Sequence, residues 1–202
     1  MAFIETVSDE EASGPVADLY EEDLRDQSYV TNLTPVFAHR PAAFRAWQQL
    51  SGAIRQTMDA RRYELATLAA ARRLKSSYCM LAHGSVLSER FFESARVRDL
   101  AVDHRTAGLD PVDVAVMDLA EKVAADATSV TESDVRRLRD LGLSDAEVVD
   151  VVLAAAARSF FSKVLDGLGA EPDAAYAALD AELRDSLTVG RQIAQSPDLE
   201  SG

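Results

Sequence analysis

Apolar residues recur at spacings of three and four along most of the chain, and cap residues or prolines fall between the blocks. After Pro15, the stripe Val16, Leu19, Tyr20 and Leu24 predicts a helix over 15–26. Thr34-Pro35 has the order of a helix start, and Arg40-Pro41 marks another boundary. Phe44, Trp47, Leu50 and Ile54 then predict a long amphipathic helix from Pro41 to about Met58. Asp59 suits an N-cap, and the helix behind it carries Leu65, Leu68 and Leu74 around Ala69-Ala70-Ala71, which permits close packing. Lys75-Ser76-Ser77 breaks the pattern. Either serine can cap a new helix running to about Phe92, with a short helix over 93–103 and a turn over 104–110.

The second half repeats the grammar. Asp110-Pro111 opens a helix to about Ala127 that buries Val112, Val116, Leu119, Ala120 and Val123. Thr131 to Asp134 is a capping-box variant whose helix Gly142 ends, and Ser144 to Glu147 is a full capping box. The apolar helix it opens runs to about Leu165 and stops at Gly167 and Gly169; a last helix covers 172–183. Strand-like alternation is absent. The fold class is all-α, with about eight to ten helices in one domain over 15–186, between a flexible N-terminus (1–14) and a flexible tail (187–202).

Composition narrows the partners. The 202 residues carry 34 acids against 21 bases, a net charge of −13. That excludes a positive footprint for nucleic acid and gives no attraction to an anionic membrane. Apolar residues make up 48% of the chain, enough for a sizeable core, yet no run approaches the roughly 20 apolar residues of a membrane span. One cysteine forms no internal disulfide, and the first residues lack a basic, then apolar leader. A cytoplasmic protein is expected.

The chemistry gathers between Tyr63 and Leu87. Cys79, the only cysteine, and His83 stand four apart, one turn along one helix face. With Ser76 as N-cap, Cys79 is the third helical residue, where the helix dipole favours a thiolate, and Arg72, Arg73 and Lys75 lie just upstream. His83 can accept the thiol proton, and Glu64 can orient His83 or take the proton in turn. Tyr78 adds a phenol beside the thiol, although adjacent helical residues point about 100° apart. Each residue also has an ordinary role: a small core thiol, a structural imidazole, a solvated helix acid, two serine caps.

Glu64, eleven residues, then Ser76-Ser-Tyr-Cys79-Met-Leu-Ala-His83 resembles the signature of the alkyl hydroperoxidase D-like superfamily, also called the carboxymuconolactone decarboxylase family. The family pattern is a Glu followed at this spacing by Cys-x-x-Cys-x-x-x-His. The Tyr78-Cys79 pair, Asn32-Leu-Thr-Pro35 with Trp47, and the Arg-Arg-Tyr lead-in to Glu64 resemble its peroxidase-related branch. The resemblance covers roughly residues 15 to 180. It implies a helical fold with the motif helix at its centre, a homo-oligomer (trimer or hexamer) and reduction of hydroperoxides by a cysteine pair. It implies no metal or organic cofactor. By motif position Cys79 is the more His-proximal cysteine, His83 the motif histidine and Glu64 the proton-relay acid.

Ser76 stands where the pattern has its first cysteine. A hydroxyl cannot close the disulfide of a two-cysteine cycle. A peroxidase reading then runs through Cys79 alone, with a sulfenic acid resolved by an external thiol reductant. Two other readings follow from the same departure. One is acid–base chemistry on a small lactone or keto acid by Glu64 and His83; the other is a redox-inactive helical module. Among other polar residues, His104-Arg105 and His39-Arg40 are expected at the surface, and Lys163 either reaches an acid or extends outward.

Overall fold

The structure, a computed structural model, describes residues 2–195. Ten α-helices follow one another: α1 (Pro15–Gln27), α2 (Thr34–Phe37), α3 (Pro41–Thr57), α4 (Ala60–Leu74), α5 (Ser77–Arg90), α6 (Ser94–Asp103), α7 (Pro111–Asp126), α8 (Glu132–Asp140), α9 (Asp145–Leu168) and α10 (Ala181–Leu187). Short 3-10 turns cover Ala127–Ser129 and Ala174–Ala178. No strand occurs among the described residues, so the all-α expectation holds. No helix among them is long and apolar enough to cross a membrane.

The caps explain most boundaries. The Asp59 carboxylate accepts the Arg62 N–H at 3.0 Å, and Ser144 with Glu147 closes both halves of its capping box. The expected helix over 172–183 is instead two pieces. The Asp180 carboxylate accepts the Leu183 N–H at 3.1 Å and so starts α10, leaving a 3-10 turn before it. Ser76 occupies the N-cap position of α5, but its hydroxyl makes no capping bond.

The resemblance places the motif helix at the centre; the structure gives that place to α4, the helix of Glu64. Every residue from Tyr63 to Ala71 is buried, because α5, α7 and α9 enclose it. Alanines 66, 69, 70 and 71 let these neighbours approach closely. The motif helix α5 packs on one side of α4 and is backed by α10. At that contact a Cβ on Gly84 would stand 2.5 Å from Leu187 Cδ1, so only glycine fits beside the buried leucine.

The first and last described segments both contact this body. The Phe3 N–H donates to Leu168 O at 2.8 Å, and Tyr20 donates its hydroxyl to Val7 O. Gly190 crosses the start of α5: its N–H donates to Ser77 Oγ at 2.7 Å, and a Cβ there would stand 2.1 Å from Lys75 O. The rest of the expected tail, 196–202, lies outside the described residues.

Candidate active site

Two buried pairs surround the motif. Glu64 and His83, nineteen residues apart, meet at 2.5 Å between Oε2 and Nδ1. Burial pushes the Glu64 carboxyl up, but the bond from His83 and the charges of Arg55 and Arg158 outweigh it and hold it below the usual range. Burial, and then the Arg158 charge, lowers His83 to about 4 against the pull of Glu64. At neutral pH the pair is a carboxylate accepting Nδ1–H from a neutral imidazole, which leaves Nε2 as an acceptor. Arg55 adds an ion pair at 3.7 Å to Glu64 Oε1 and lies 4.7 Å over the Tyr63 ring.

Cys79 is the third residue of α5, as its spacing from Ser76 predicts, and 1% exposed. Its sulfur accepts from Ser162 Oγ at 3.2 Å and Arg158 Nη1 at 3.4 Å, both on α9. Arg158 is itself buried, and its Nε–H has no partner among the described residues. Aromatic rings hold the guanidinium in place. Trp47 and Phe161 stack at 3.9 Å, with Arg158 Cζ 5.8 Å and 5.4 Å from their centroids. Phe37 and Phe44 extend the stack. The sequence reading missed Arg158 and Ser162. The available signal was an arginine interrupting the apolar run of α9, at a position that the helical period assigns to the buried face.

Cys79 lines a cavity of about 170 Å³. Tyr78, Cys79 and Ala82 line it from α5, Arg158 and Phe161 from α9, and Tyr29, Thr31 and Leu33 from the connector before α2. Asp173 and Tyr176 close it from the segment after α9. Larger hollows on the surface, such as those around Arg184 and Arg90, contain neither the thiol nor a histidine. Of the sequence-predicted site residues, Cys79 and Tyr78 line the cavity. Glu64 and His83 are buried and paired but are not on its lining, and Ser76 is buried at the helix start. Tyr78 does not contact the thiol by a hydrogen bond; its hydroxyl donates to Asp173 Oδ2 at 2.6 Å. Asp173 also accepts the Asn32 N–H at 2.6 Å, which gives the Asn-Leu-Thr-Pro segment a place in the site.

The lower-ranked residues divide. Lys163 is exposed, and so is His39. His104 is fully buried, contrary to the surface expectation, because Asp118 accepts its Nε2–H at 2.9 Å from across the turn. His104, Asp118 and Glu121 bring three potential metal-ligand atoms within 4.8 Å of one another. Arg105 and Arg137 pair with Asp118, and Arg105 and Arg72 with Glu121, so the carboxylates already have cations.

No protein-family model matches the sequence, and no curated protein matches it. Solved structures do. A peroxidase-related protein with an alkylhydroperoxidase AhpD core from Ralstonia eutropha JMP134 superposes with a TM-score of 0.78 at 22% identity, over 87% of this chain and 94% of that one. A peroxidase-related protein from Silicibacter sp. TM1040 gives 0.75 at 19%, over 86% and 94%. The debrominase Bmp8, as a C82A variant with 2,3,4-tribromopyrrole, gives 0.69 at 10%, over 90% and 94%. At identities this low the likeness concerns the backbone, and it agrees with what the motif implies: the chain has the alkyl hydroperoxidase D-like fold.

Proposed function

We propose that the protein reduces hydroperoxides through Cys79 alone, with an external thiol completing the cycle. The observation that carries this reading is Cys79 on the cavity lining, its sulfur held by a buried guanidinium and a hydroxyl. The thiolate is the form that attacks, and the guanidinium and hydroxyl both donate to its sulfur. Arg158 lines the same cavity, so its charge stands beside an oxygen-rich ligand there. The His83 imidazole, one turn along α5, is oriented by Glu64 and kept neutral by burial and the Arg158 charge. Peroxidase-related names among the structural neighbours support the same reading.

In the cycle, the thiolate displaces an alcohol from the hydroperoxide and becomes a sulfenic acid. A donor thiol then displaces water to give a mixed disulfide, and a second thiol releases Cys79. Ser76 supplies no second sulfur, so the donor comes from outside the chain. A lone reducible thiol fits a reducing, cytoplasmic setting. The test is turnover of a small hydroperoxide with several thiol donors, together with trapping of the sulfenic acid. Wild type should turn over and Cys79→Ser should not; equal rates in the two would sink the reading.

The acid–base alternative has less support, since Glu64 and His83 do not line the cavity. Self-association, which the resemblance implies, has a candidate surface. Val149, Val152, Leu153 and Phe160 form an exposed apolar stripe on α9, and Leu50 is exposed on α3 beside it.

A further inference from the structure

We propose that Tyr78 and Asp173 are the proton-donating pair of this site, delivering a proton to the oxygen that leaves when Cys79 attacks a hydroperoxide. This rests on the reading of Cys79 as the attacking sulfur. The reaction needs such a donor. An alkoxide is about as basic as hydroxide, so it leaves poorly without one.

The geometry separates two carboxyls by role. Glu64 accepts from His83 and has Arg55 beside it, and it is not on the cavity lining. Asp173 is on the lining, 3% exposed, and pairs with no lysine or arginine among the described residues. Its Oδ1 takes the Asn32 N–H and its Oδ2 the Tyr78 O–H, each at 2.6 Å. The Asn32 side chain also donates to Glu171 O at 3.2 Å, which fixes the segment that carries the acid. A buried acid without a cation keeps its proton more readily than one with two arginines nearby. In keeping with that, burial raises the Asp173 carboxyl, with Asp23 adding to it, while Glu64 is held low. Burial and Asp173 push the Tyr78 phenol well above its ordinary range. Two carboxyls driven apart around one nucleophile are the pattern by which acid and base roles divide.

His83 is a poor store for this proton, because burial and Arg158 disfavour the imidazolium. The step balances without it. The Cys79 thiolate attacks the terminal oxygen of ROOH, an S–O bond forms and the O–O bond breaks. Sulfur loses two electrons and becomes S–OH, keeping the terminal hydrogen. With Asp173 protonated the bond reverses: its Oδ2–H donates to the Tyr78 oxygen, the phenol O–H turns to the leaving RO⁻, and RO⁻ takes that proton and becomes ROH. The phenolate takes the Asp173 proton, and solvent restores the acid.

The experiment is single-turnover oxidation of Cys79 in wild type, Asp173→Asn and Tyr78→Phe. The oxidants are tert-butyl hydroperoxide, whose alkoxide needs a proton, and peracetic acid, whose carboxylate does not. Iodoacetamide alkylation, with iodide leaving, is the control for thiol reactivity. Both variants should lose about a hundredfold or more with tert-butyl hydroperoxide while keeping near wild-type rates with peracetic acid and iodoacetamide. Equal loss with all three reagents would make the pair merely structural, and no loss with any would remove it from the chemistry; either overturns the proposal. Wild type that alkylates but reacts with neither oxidant would overturn the peroxidase reading itself, a separate result. Should Asp173→Asn fail to fold, Tyr78→Phe, which removes one hydroxyl, decides alone.

Discussion

Arg158 Nη1 lies 3.4 Å from the Cys79 sulfur although the two residues are 79 apart in the chain. Both are buried, so the contact works in a medium that screens charge poorly. A hydrogen bond to a charged group contributes about 1.5–3 kcal/mol. Arg158→Met should therefore slow alkylation of Cys79 at neutral pH by roughly 10- to 100-fold. Arg158→Lys, a point charge without the planar fork, should restore part of the rate. Unchanged alkylation in the Met variant would show that the guanidinium does not activate the thiol.

The Glu64–His83 pair makes a prediction about acid. An imidazole in the unfolded chain titrates near 6.5, and His83 in the folded chain only at about 4. Between those values the unfolded state binds the proton first. The pair's contribution is thus fully present above about pH 6.5 and is lost as pH falls toward 4, on the order of 3 kcal/mol in all. Glu64, held below its ordinary value, adds a loss of the same sign at lower pH. Asp166 and Asp173, both raised, act in the opposite sense. Urea midpoints from pH 8 to 4 should fall steeply in wild type and less steeply in His83→Gln; parallel curves would contradict the assignment of a neutral imidazole.

How far the chain can be read without coordinates differs by kind of interaction. Local rules sufficed where the partner is local: Asp59, Ser144 and Glu147 cap the helices that their spacing predicts, and Cys79 sits three past Ser76 at a helix start. They failed where Asp180 breaks a helical stretch, because a cap and an interior aspartate look alike in sequence. Residues that act across the chain were legible only in part: the motif spacing joins Glu64 to His83, but it names none of their neighbours on α9. Arg158 and Ser162 meet the thiol only because α9 packs beside α5, and Asp173 follows a proline in a segment with no periodicity. His104 was misplaced for the same reason: its partner Asp118 is on the next helix.

Ser76 defines a gain-of-function test. Its backbone is extended, outside the helix that holds Cys79, so its side chain is not bound to the helical spacing. Ser76→Cys should form an internal disulfide after exposure to hydroperoxide. The variant should then lose both free thiols to a disulfide-specific mass change, and its turnover should respond to dithiol donors in preference to monothiols. Two thiols that remain free after oxidation would show that this start of α5 cannot close the bond, and that the second cysteine's absence is not the whole difference from the family pattern.

The exposed stripe on α9 makes the last prediction. Burying one aliphatic or aromatic side chain is worth about 1.5–3 kcal/mol, so Val149, Val152, Leu153 and Phe160 together represent a cost in water that a second copy would remove. The chain's charge of −13 works against self-association, so an oligomer would rest on apolar contact and gain strength with salt. Wild type should give an oligomer mass by light scattering, and Leu153→Glu should shift it toward the monomer. A wild-type monomer at every concentration would remove the stripe as an interface. The same helix presents Arg158 and Ser162 on its buried face. Alkylation of Cys79 in Leu153→Glu therefore tells whether the interface merely covers α9 or also holds it in register with the thiol: an unchanged rate means cover alone, and a slower rate means that assembly positions Arg158.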